Sequence, residues 1–254
     1  VEIGRSFAAA TNVLLEKAST PASAIKAIGS HGQTVYHQPT GEFPFTLQLG
    51  DPNTIAELTG ITTVADFRRR DIAAGGEGAP LAPAFHAAAF AKRGVNRAIV
   101  NIGGIANASI LMGDQLHLGF DTGPGNTLLD HWIARHLGDC YDRDGAWSAE
   151  GRVSPELLSR LLEHPFLNKF GPRSTGKEAF NLTWLSQCCP DLDTADPQDV
   201  QSTLAEYTAA SIAKALVESG PTLNEVYVCG GGAHNTDLIG RLTRHLKPTP
   251  MATT

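Results

Sequence analysis

The chain has 254 residues, of which 42% are hydrophobic and 18% charged, a composition typical of a globular protein with one large or two smaller domains. The net charge of -6 argues against a nucleic-acid-binding surface, and no apolar run reaches the ~20 residues that cross a bilayer. The four cysteines form no C-x-x-C pair and the histidines lack metal spacing, so we expect reduced thiols, a cytoplasmic location and no metal site.

The first third of the chain is predicted to alternate helices with short strands. Apolar residues at helical spacing predict a helix over 4–17, and Gly60 is typical of a helix C-cap. An alanine-rich helix is predicted over 83–92. Buried or β-branched runs predict three strands, over 24–30, 45–49 and 61–65.

A new group of strands begins near residue 95, where we place a boundary between domains 1–95 and 96–254. Strands over 97–101 and 106–112 form a predicted hairpin around Gly103-Gly104. The other predicted strands are 116–120 and 226–229. The later predicted helices are 155–162, 183–187, 199–218 and 235–245. Because strands alternate with helices throughout, the predicted fold class is α/β.

The most informative segment is Asp121 to Asn126, which reads Asp-Thr-Gly-Pro-Gly-Asn and precedes a helical run from Thr127. We expect the preceding strand to end at Phe120, so that the Asp121 carboxylate lies beside the positive N-terminus of the helix and stays ionised. An ionised aspartate on a glycine-rich turn fits the base of a phosphoryl-transfer enzyme.

Two further glycine clusters, Gly103-Gly104 and Gly230 to Gly232, each follow a predicted strand. Either cluster can be a plain turn in which glycine only supplies backbone freedom. Alternatively, the missing side chains let the backbone N–H groups of Gly103 and Gly104 approach an anion, with Asn101 and Asn107 adding amide donors. Three consecutive glycines exceed what a tight strand–helix turn needs, which favours a flat ligand such as a nucleotide base or ribose beside them. Their spacing is not that of a dinucleotide fingerprint.

The block Asp66 to Asp71, Asp-Phe-Arg-Arg-Arg-Asp, places five charges around one aromatic residue directly after a predicted strand. A charge run is usually a solvated face. In open α/β sheets, however, ligands bind at the ends of strands. Both interpretations stay open, and we expect at least one of these arginines to contact an anionic group of a substrate.

The segment Gly171 to Glu178 approaches the P-loop pattern without completing it. Glu178 stands where a hydroxyl would bind magnesium, and no buried strand precedes the segment. We therefore do not expect a P-loop.

Taken in chain order, these motifs resemble the 1,6-anhydro-N-acetylmuramic acid kinase family, bacterial sugar kinases of the actin/hexokinase-like superfamily. The matching segments are 29–35, 66–71, 76–81, 101–107, 121–126, 141–145, 174–176 and 229–232. The resemblance implies a two-lobed, ribonuclease H-like α/β fold with mixed sheets flanked by helices, and ATP in the cleft between the lobes. It also implies a role in cell-wall recycling, in which water opens the 1,6-anhydro bridge while ATP phosphorylates O6 to give N-acetylmuramic acid 6-phosphate.

The resemblance also implies roles for individual residues. Asp121 matches the general base that takes a proton from the water attacking the anomeric carbon. The implied nucleotide-binding residues are Gly103, Gly104, Asn107, Gly230, Gly231 and Gly232. The implied sugar-binding residues are Asp66, Arg68, Arg69, Gly123 and Asn126. An arginine among residues 68–70 is the expected partner of the lactyl carboxylate, and Mg²⁺ would bridge the ATP phosphates.

The family has a first phosphate-binding hairpin and C-terminal active-site segments that this chain lacks, so we expect a fragment whose activity belongs to the parent protein. The expected partners are the sugar, ATP and a second copy in a homodimer, with no nucleic acid or membrane. Two alternatives stay open. Another phosphotransferase or carbamoyl transferase of the superfamily would not be expected to share residues 66–71, and a non-catalytic sugar or nucleotide sensor has no need of Asp121.

Overall fold

The computed structural model describes residues 1–39, 41–169, 171 and 173–254. The chain forms two compact units, Val1–Leu81 and Ala82–Thr254. Helix α4 (Ala82–Phe90) belongs to the second unit because it packs on two strands of that unit's sheet. The division between the units thus lies ahead of residue 95, and the assignment of residues to two lobes stays a prediction.

The first unit is built from helices and two small pairs of strands. Its helices are α1 (Glu2–Lys17), α2 (Pro52–Thr59) and α3 (Phe67–Ala73). Strand β1 (Ile28–Gly29) pairs in parallel with β4 (Thr63–Val64), and β2 (Gln33–Gln38) pairs antiparallel with β3 (Phe45–Leu49). Gly60 caps α2 with a φ of 68°, which confirms the predicted C-cap.

Two strands predicted in the first unit are much shorter than expected. The strand predicted over 24–30 is reduced to β1, because a 3-10 turn follows Pro21 and occupies Ala22–Ala24. The strand predicted over 61–65 is reduced to β4, because Asp66 adopts a left-handed φ of 62° and starts α3. Local turn geometry therefore overrides the β-branched composition of both segments.

The second unit contains one mixed five-stranded sheet in the order β7-β6-β5-β8-β9. The strands are β5 (Asn96–Ile102), β6 (Ile105–Met112), β7 (Gln115–Pro124), β8 (Glu225–Cys229) and β9 (Met251–Thr253). The β5–β6 and β6–β7 pairs are antiparallel, whereas β5–β8 and β8–β9 are parallel. The predicted hairpin around Gly103-Gly104 is confirmed.

In the described part of the chain, six more α-helices follow β7. They are α5 (Thr127–Leu137), α6 (Ala146–Glu150), α7 (Pro155–Leu162), α8 (Leu182–Cys188), α9 (Pro197–Glu218) and α10 (Thr236–Leu246). Capping side chains fix four of their starts: Ser154 accepts from Leu157 N at 3.3 Å, Asn181 from Trp184 N at 2.9 Å, Asp196 from Gln198 N at 2.8 Å and Asn235 from Leu238 N at 2.9 Å. Proline at the first position of α7 and of α9 reinforces the same boundaries.

Helix α9 lies at the centre of the second unit, with most of its residues buried. Ala209, Ile212 and Leu216 pack with one face of the sheet, while Leu204 and Tyr207 join a second core that includes Trp132 on α5. Burying one such leucine or isoleucine side chain contributes ~1.5–3 kcal/mol. The predicted α/β class, with a mixed sheet flanked by helices, is confirmed.

Candidate active site

Strand β7 continues through Asp121 instead of ending before it. Asp121 pairs with Asn107, and Pro124 pairs with Ile105, so the ladder with β6 extends through the glycine and proline of the motif. Helix α5 begins only at Thr127. The expectation that Asp121 lies on a turn beside the helix N-terminus is therefore wrong, because pairing between strands keeps the segment extended.

The Asp121 carboxylate is held by hydrogen bonds from a distant part of the chain. Its Oδ2 atom accepts from Thr175 N at 2.8 Å and from Ser174 Oγ at 3.1 Å, while Oδ1 accepts no hydrogen bond from the described residues. Burial raises the pKa of Asp121, and these two donors together with the Arg173 guanidinium oppose that rise. A raised pKa makes the carboxylate a stronger base, and Oδ1 is free to receive a proton.

Arg173 bonds the segment that contains Ser174 and Thr175 to β7. Its Nε donates to Asp121 O at 2.9 Å, and its own carbonyl accepts from Asp121 N at 2.9 Å. The guanidinium also lies over the rings of Phe120 and Phe166, at 5.6 and 5.0 Å from their centroids. The segment that approaches the P-loop pattern is thus a support for Asp121.

That segment is not a P-loop. Residues 173–176 have no regular secondary structure, and α8 begins only at Leu182, so no helix follows directly. Phe170 and Pro172 lie outside the described residues. The described residues of the segment therefore agree with the expectation of no P-loop.

A row of polar residues crosses the sheet beside Asp121. Asp121, Asn107, Asn101 and Cys229 lie opposite one another on β7, β6, β5 and β8. Directly paired residues present their side chains to the same face of a sheet. Asp121 and Asn107, both predicted site residues, are therefore neighbours on one face, and Asn101 extends that face toward β8.

The Gly103-Gly104 turn presents free backbone donors. Its carbonyls are engaged, since Gly103 O accepts from Asn126 N at 2.8 Å and Gly104 O accepts from Gly125 N and Thr127 N. Among the described residues no acceptor pairs with the N–H of Gly103 or of Gly104. Two adjacent free N–H groups are a favourable site for a phosphate.

Lys177 adds a positive charge at the same turn. A Cβ atom at Gly104 would lie 2.6 Å from Lys177 Cε and 3.3 Å from Nζ, so the lysine side chain runs along the turn. At Gly103 the nearest atom to such a Cβ is Ile105 O, at 3.4 Å, which leaves that side open. An anion at the turn would meet two N–H groups and an ammonium.

Packing explains two of the glycines at 230–232, and their predicted contact with the nucleotide stays a prediction. A Cβ atom at Gly230 would lie 2.5 Å from Asn101 Oδ1 and 2.8 Å from Ile102 O, and one at Gly232 would overlap the Ile102 side chain. Two of the three glycines are thus required by the protein's own packing against β5. Gly231 alone has room, with Asn126 Nδ2 as its nearest neighbour at 3.7 Å.

A cavity of about 560 Å³ opens beside Gly231. Helix α5 contributes Asn126, Leu129 and Asp130 to its lining. The remaining lining residues are Cys140, Tyr141, Asp142, Arg143, Asp144, Gly231, His234 and Asn235.

Burial raises the pKa of Asp130, while His131 and Lys177 oppose the rise. Because Asn126 also donates to Gly103 O and Ile102 O, the cavity adjoins the Gly103-Gly104 turn.

Gly123 lies in the interior, beside the cores of the second unit. It is buried with a φ of 148°, and a Cβ atom there would lie 3.2 Å from both Leu167 Cδ2 and Ser211 Oγ. Packing therefore explains this glycine without a ligand. Its predicted contact with the sugar stays a prediction.

The other predicted sugar-binding residues, Asp66, Arg68 and Arg69, belong to the first unit. Arg68 Nε donates to His31 Nε2 at 2.8 Å, while His31 Nδ1 contacts Gly32 O at 2.8 Å, which fits a neutral imidazole protonated on Nδ1. Burial lowers the pKa of Arg68. Asp66 and Arg69 are exposed and form a loose pair at 3.5 Å.

Several residues of the site had no role assigned from the sequence. Ser174 and Thr175 matched a family motif, but nothing local connects them with an aspartate more than fifty positions earlier. Tyr141 and Asp142 also lie in a matched motif. Asn235 and His234 follow the glycine cluster, and their proximity to it is the one signal that places them in the cavity wall.

The described part of the chain contains no group of three metal-ligating side chains and no helix long and apolar enough to span a membrane. All four cysteines are free thiols.

Comparison with known proteins identifies similar sequences over the whole chain. The model of the anhydro-N-acetylmuramic acid kinase family matches residues 1–254. The anhydro-N-acetylmuramic acid kinase of Shewanella sp. (strain MR-7) is 52% identical over 253 residues, which are 99% of this chain and 68% of that protein. The enzyme of the same name from Coxiella burnetii (strain Dugway 5J108-111) is 52% identical over 256 residues, which are 100% of this chain and 68% of that protein.

A solved structure supports the fold alone. Component A of the (R)-2-hydroxyglutaryl-CoA dehydratase of Acidaminococcus fermentans superposes with a TM-score of 0.51 at 14% identity, covering 94% of this chain and 74% of that one. This likeness agrees with the predicted actin/hexokinase-like fold class.

Proposed function

The chain belongs to the anhydro-N-acetylmuramic acid kinase family, and we propose that it uses ATP and water to convert 1,6-anhydro-N-acetylmuramic acid into N-acetylmuramic acid 6-phosphate. The observation that carries the proposal is the carboxylate of Asp121. Its Oδ2 atom accepts two hydrogen bonds, whereas its Oδ1 atom accepts none from the described residues. Burial raises the pKa of this carboxyl. The strand that carries Asp121 is adjacent to a hairpin in which two backbone N–H groups have no acceptor among the described residues.

Asp121 acts as the general base in this proposal. Its Oδ1 atom accepts a proton from water, and the water oxygen forms a bond to the anomeric carbon. The bond between that carbon and O6 then breaks, and O6 bonds to the γ-phosphorus as ADP leaves. Ser174 and Thr175 fix the orientation of the carboxylate so that Oδ1, the atom without a partner among the described residues, faces the reaction.

The Gly103-Gly104 turn and the adjoining cavity take the nucleotide. The free N–H groups of the two glycines and the Lys177 ammonium fit phosphate oxygens. The cavity of about 560 Å³ is of the size that encloses a small-molecule ligand. ATP, when bound, supplies the phosphoryl group. Gly231 and Asn126 line the cavity, so we assign Asn126 to the nucleotide rather than to the sugar.

Mg²⁺ is proposed as a companion of ATP rather than as a resident of the protein. Magnesium usually keeps several waters and binds substrate phosphates with one or two carboxylates. The half-buried carboxylate of Asp130 lines the cavity and is the side chain suited to this role.

In the first unit, Arg68 is the best candidate to bind the lactyl carboxylate. His31 holds its Nε, which leaves the two terminal nitrogens of the guanidinium for an anion. Asp66 and Arg69 are proposed as further sugar contacts. The homodimer and the cytoplasmic location implied by the resemblance stay predictions.

Asp121→Asn tests the proposed function. The amide keeps the shape of the side chain but cannot accept a proton, so we expect turnover to fall ~10²–10⁴-fold with ATP affinity unchanged. A coupled assay of ADP release with the anhydro-sugar measures turnover, and calorimetry measures nucleotide binding. The protein expressed from its complete reading frame is used, since the chain aligns with 68% of the length of its relatives.

Asp114→Asn is the matched control, because Asp114 is exposed in the turn between β6 and β7. Turnover of Asp121→Asn within threefold of this control would contradict the role of Asp121 as the base. Nucleotide binding without any turnover in the wild-type protein would instead support the hypothesis of a sensor.

A further inference from the structure

A buried ionic cluster lies behind the cavity, outside the residues that line it. The side chain of Arg241 on α10 is only 7% exposed. Its Nε donates to Asp237 Oδ2 at 2.8 Å, its Nη1 to Glu206 Oε2 at 3.1 Å, and its Nη2 to Ser202 Oγ at 2.9 Å. One guanidinium thus joins α10 to α9 through two directed hydrogen bonds and makes a third to Asp237 within α10, a geometry that the fork of arginine provides and a lysine ammonium does not.

The cluster continues from Arg241 to the wall of the cavity through Ser148 on α6. Ser148 Oγ donates to Asp237 Oδ2 at 2.9 Å, and Arg241 Nη2 also donates to Ser148 O at 3.3 Å. Ser148 N in turn donates to Asp142 Oδ2 at 2.9 Å, and Trp147 N donates to Asp142 Oδ1 at 3.0 Å. Asp142 lines the cavity. The chain of contacts therefore runs from Arg241 through Asp237 and Ser148 to the cavity.

The same wall is tied to the start of α10 by two more contacts. Thr236 Oγ1 donates to Asp144 O at 2.8 Å, and Gly145, with a φ of 69°, packs so closely on Asn235 that a Cβ atom there would overlap Oδ1. Residues 140–144 thus line the cavity without any helix or strand before Arg143, and contacts with α6 and α10 hold them. The order of such a segment depends on the few contacts that hold it, so the loss of one contact is expected to increase its local opening.

We infer that Arg241 is a positioning residue: through Asp237, Ser148 and Asp142 it holds segment 140–145 against α10 and so shapes the cavity for the nucleotide. The inference rests on the proposed function in one respect, that the cavity takes ATP. Arg241 does not line the cavity, and its effect on the nucleotide passes through the segment it holds.

Arg241→Met and Arg241→Lys test this inference against Arg97→Met as the matched control. Arg97 is a partly buried arginine, 12% exposed, in an ion pair with Glu225 across β5 and β8, and neither residue lines the cavity. Each methionine variant removes the ion pairs of one arginine, those with Asp237 and Glu206 at Arg241 and the one with Glu225 at Arg97. Arg241→Lys keeps the positive charge but loses the forked geometry of the guanidinium. If Arg241→Met does not fold, Arg241→Lys provides the comparison.

Two readouts are compared in the protein from the complete reading frame. The first is the KM for ATP, which we expect to rise about tenfold or more in both Arg241 variants while the KM for the anhydro-sugar stays within twofold, because a small displacement of positioning groups weakens binding at the displaced site. The second is hydrogen exchange of residues 140–148 without nucleotide, which we expect to accelerate about tenfold in the Arg241 variants. Arg97→Met is expected to lower the thermal midpoint without changing either readout.

The outcomes separate this inference from the proposed function. An equal rise in the KM for ATP in Arg97→Met, or a KM for ATP within twofold of wild type in the Arg241 variants, overturns the inference. Unchanged exchange of residues 140–148 overturns it as well. If the wild-type protein uses no ATP, the proposed function fails, and the exchange measurement still decides whether Arg241 holds the wall.

Discussion

The two glycine turns of the second unit contain the same residue type for different physical reasons. At Gly230 and Gly232 the missing side chains make room for the protein itself, since Asn101 and Ile102 of β5 occupy the space. At Gly103 the space is open, and the N–H groups of Gly103 and Gly104 have no acceptor among the described residues. The fold requires glycine at 230 and 232 for packing, whereas the Gly103-Gly104 turn offers unpaired donors to a ligand.

The difference shows that a glycine cluster does not by itself indicate a ligand. What separates the two cases is what a Cβ atom would meet: protein atoms at Gly230 and Gly232, and open space at Gly103. By this criterion the Gly103-Gly104 turn is the turn we propose for phosphate, and Gly231 is the single member of the other cluster with room for a ligand. Three predictions test the distinction.

The largest effect is expected from alanine at the packed glycines. Gly232→Ala forces the Ile102 side chain to move, and Gly230→Ala also places a side chain at φ 84° and ψ -179°, a region used almost only by glycine. We expect each to lower the free energy of unfolding by ~2–4 kcal/mol. Urea denaturation measures the change.

Gly231→Ala is the control from the same turn, because its nearest neighbour would be 3.7 Å away. We expect it to change the free energy of unfolding by less than ~1 kcal/mol. Equal losses at all three glycines would mean that the turn is strained as a whole, and the packing explanation would then be wrong.

Local patterns predicted much of the fold. Helix α7 has the predicted bounds because Ser154 and Pro155 mark its start. Strands β5 and β6 were predicted to within one residue because two apolar runs separated by a glycine pair are a local signal. The extension of β7 through Asp121 was not predictable in this way, because it depends on the ladder with β6 outweighing a Gly-Pro-Gly sequence.

The site was predicted in part for the same reason. Asp121 and the Gly103-Gly104 turn were identified from composition and motif, but the donors to the carboxylate come from Ser174 and Thr175. No spacing rule connects residues so far apart in the chain. The packing of Gly230 on Ile102 is equally non-local, and it gives this glycine a reason that does not require a ligand.

The second prediction concerns the Gly103-Gly104 turn, which is the open turn of the two. Gly103→Ala fits sterically, with Ile105 O at 3.4 Å, but its methyl group would obstruct an anion approaching the free N–H groups. We expect the free energy of unfolding to change by less than ~1 kcal/mol. We expect the KM for ATP to rise about 10–100-fold, as for the loss of one hydrogen bond to a charged group. Steady-state kinetics with ATP as the varied substrate measures this rise.

Gly240→Ala on α10 is the control for this measurement, since its nearest neighbour would be Arg244 Nη1 at 3.7 Å and Gly240 does not line the cavity. Its KM for ATP is expected to equal that of wild type. If Gly103→Ala also leaves the KM unchanged, the free N–H groups do not bind phosphate and the contrast between the two turns is lost.

The smallest effect is expected from removing one hydrogen bond to Asp121, which lies on the strand next to the Gly103-Gly104 hairpin. Ser174 Oγ donates to Asp121 Oδ2 and thereby lowers the pKa of the carboxyl, against the rise caused by burial. Ser174→Ala removes this donor, so the pKa of Asp121 rises further. Because catalysis needs the ionised carboxylate, the acid limb of kcat/KM must move to higher pH, while the rate at the plateau stays close to wild type.

A pH profile of kcat/KM for the anhydro-sugar measures the shift, with Ser186→Ala as the control because Ser186 is exposed on α8 and bonds only to Leu182 O. Thr175 N still holds Oδ2 in the Ser174 variant, so the orientation of the carboxylate is preserved. A limb that moves to lower pH, or does not move, would show that Asp121 is not the group whose ionisation controls the rate. A limb that moves to higher pH with an unchanged plateau would assign that ionisation to Asp121, the buried carboxylate beside the open turn.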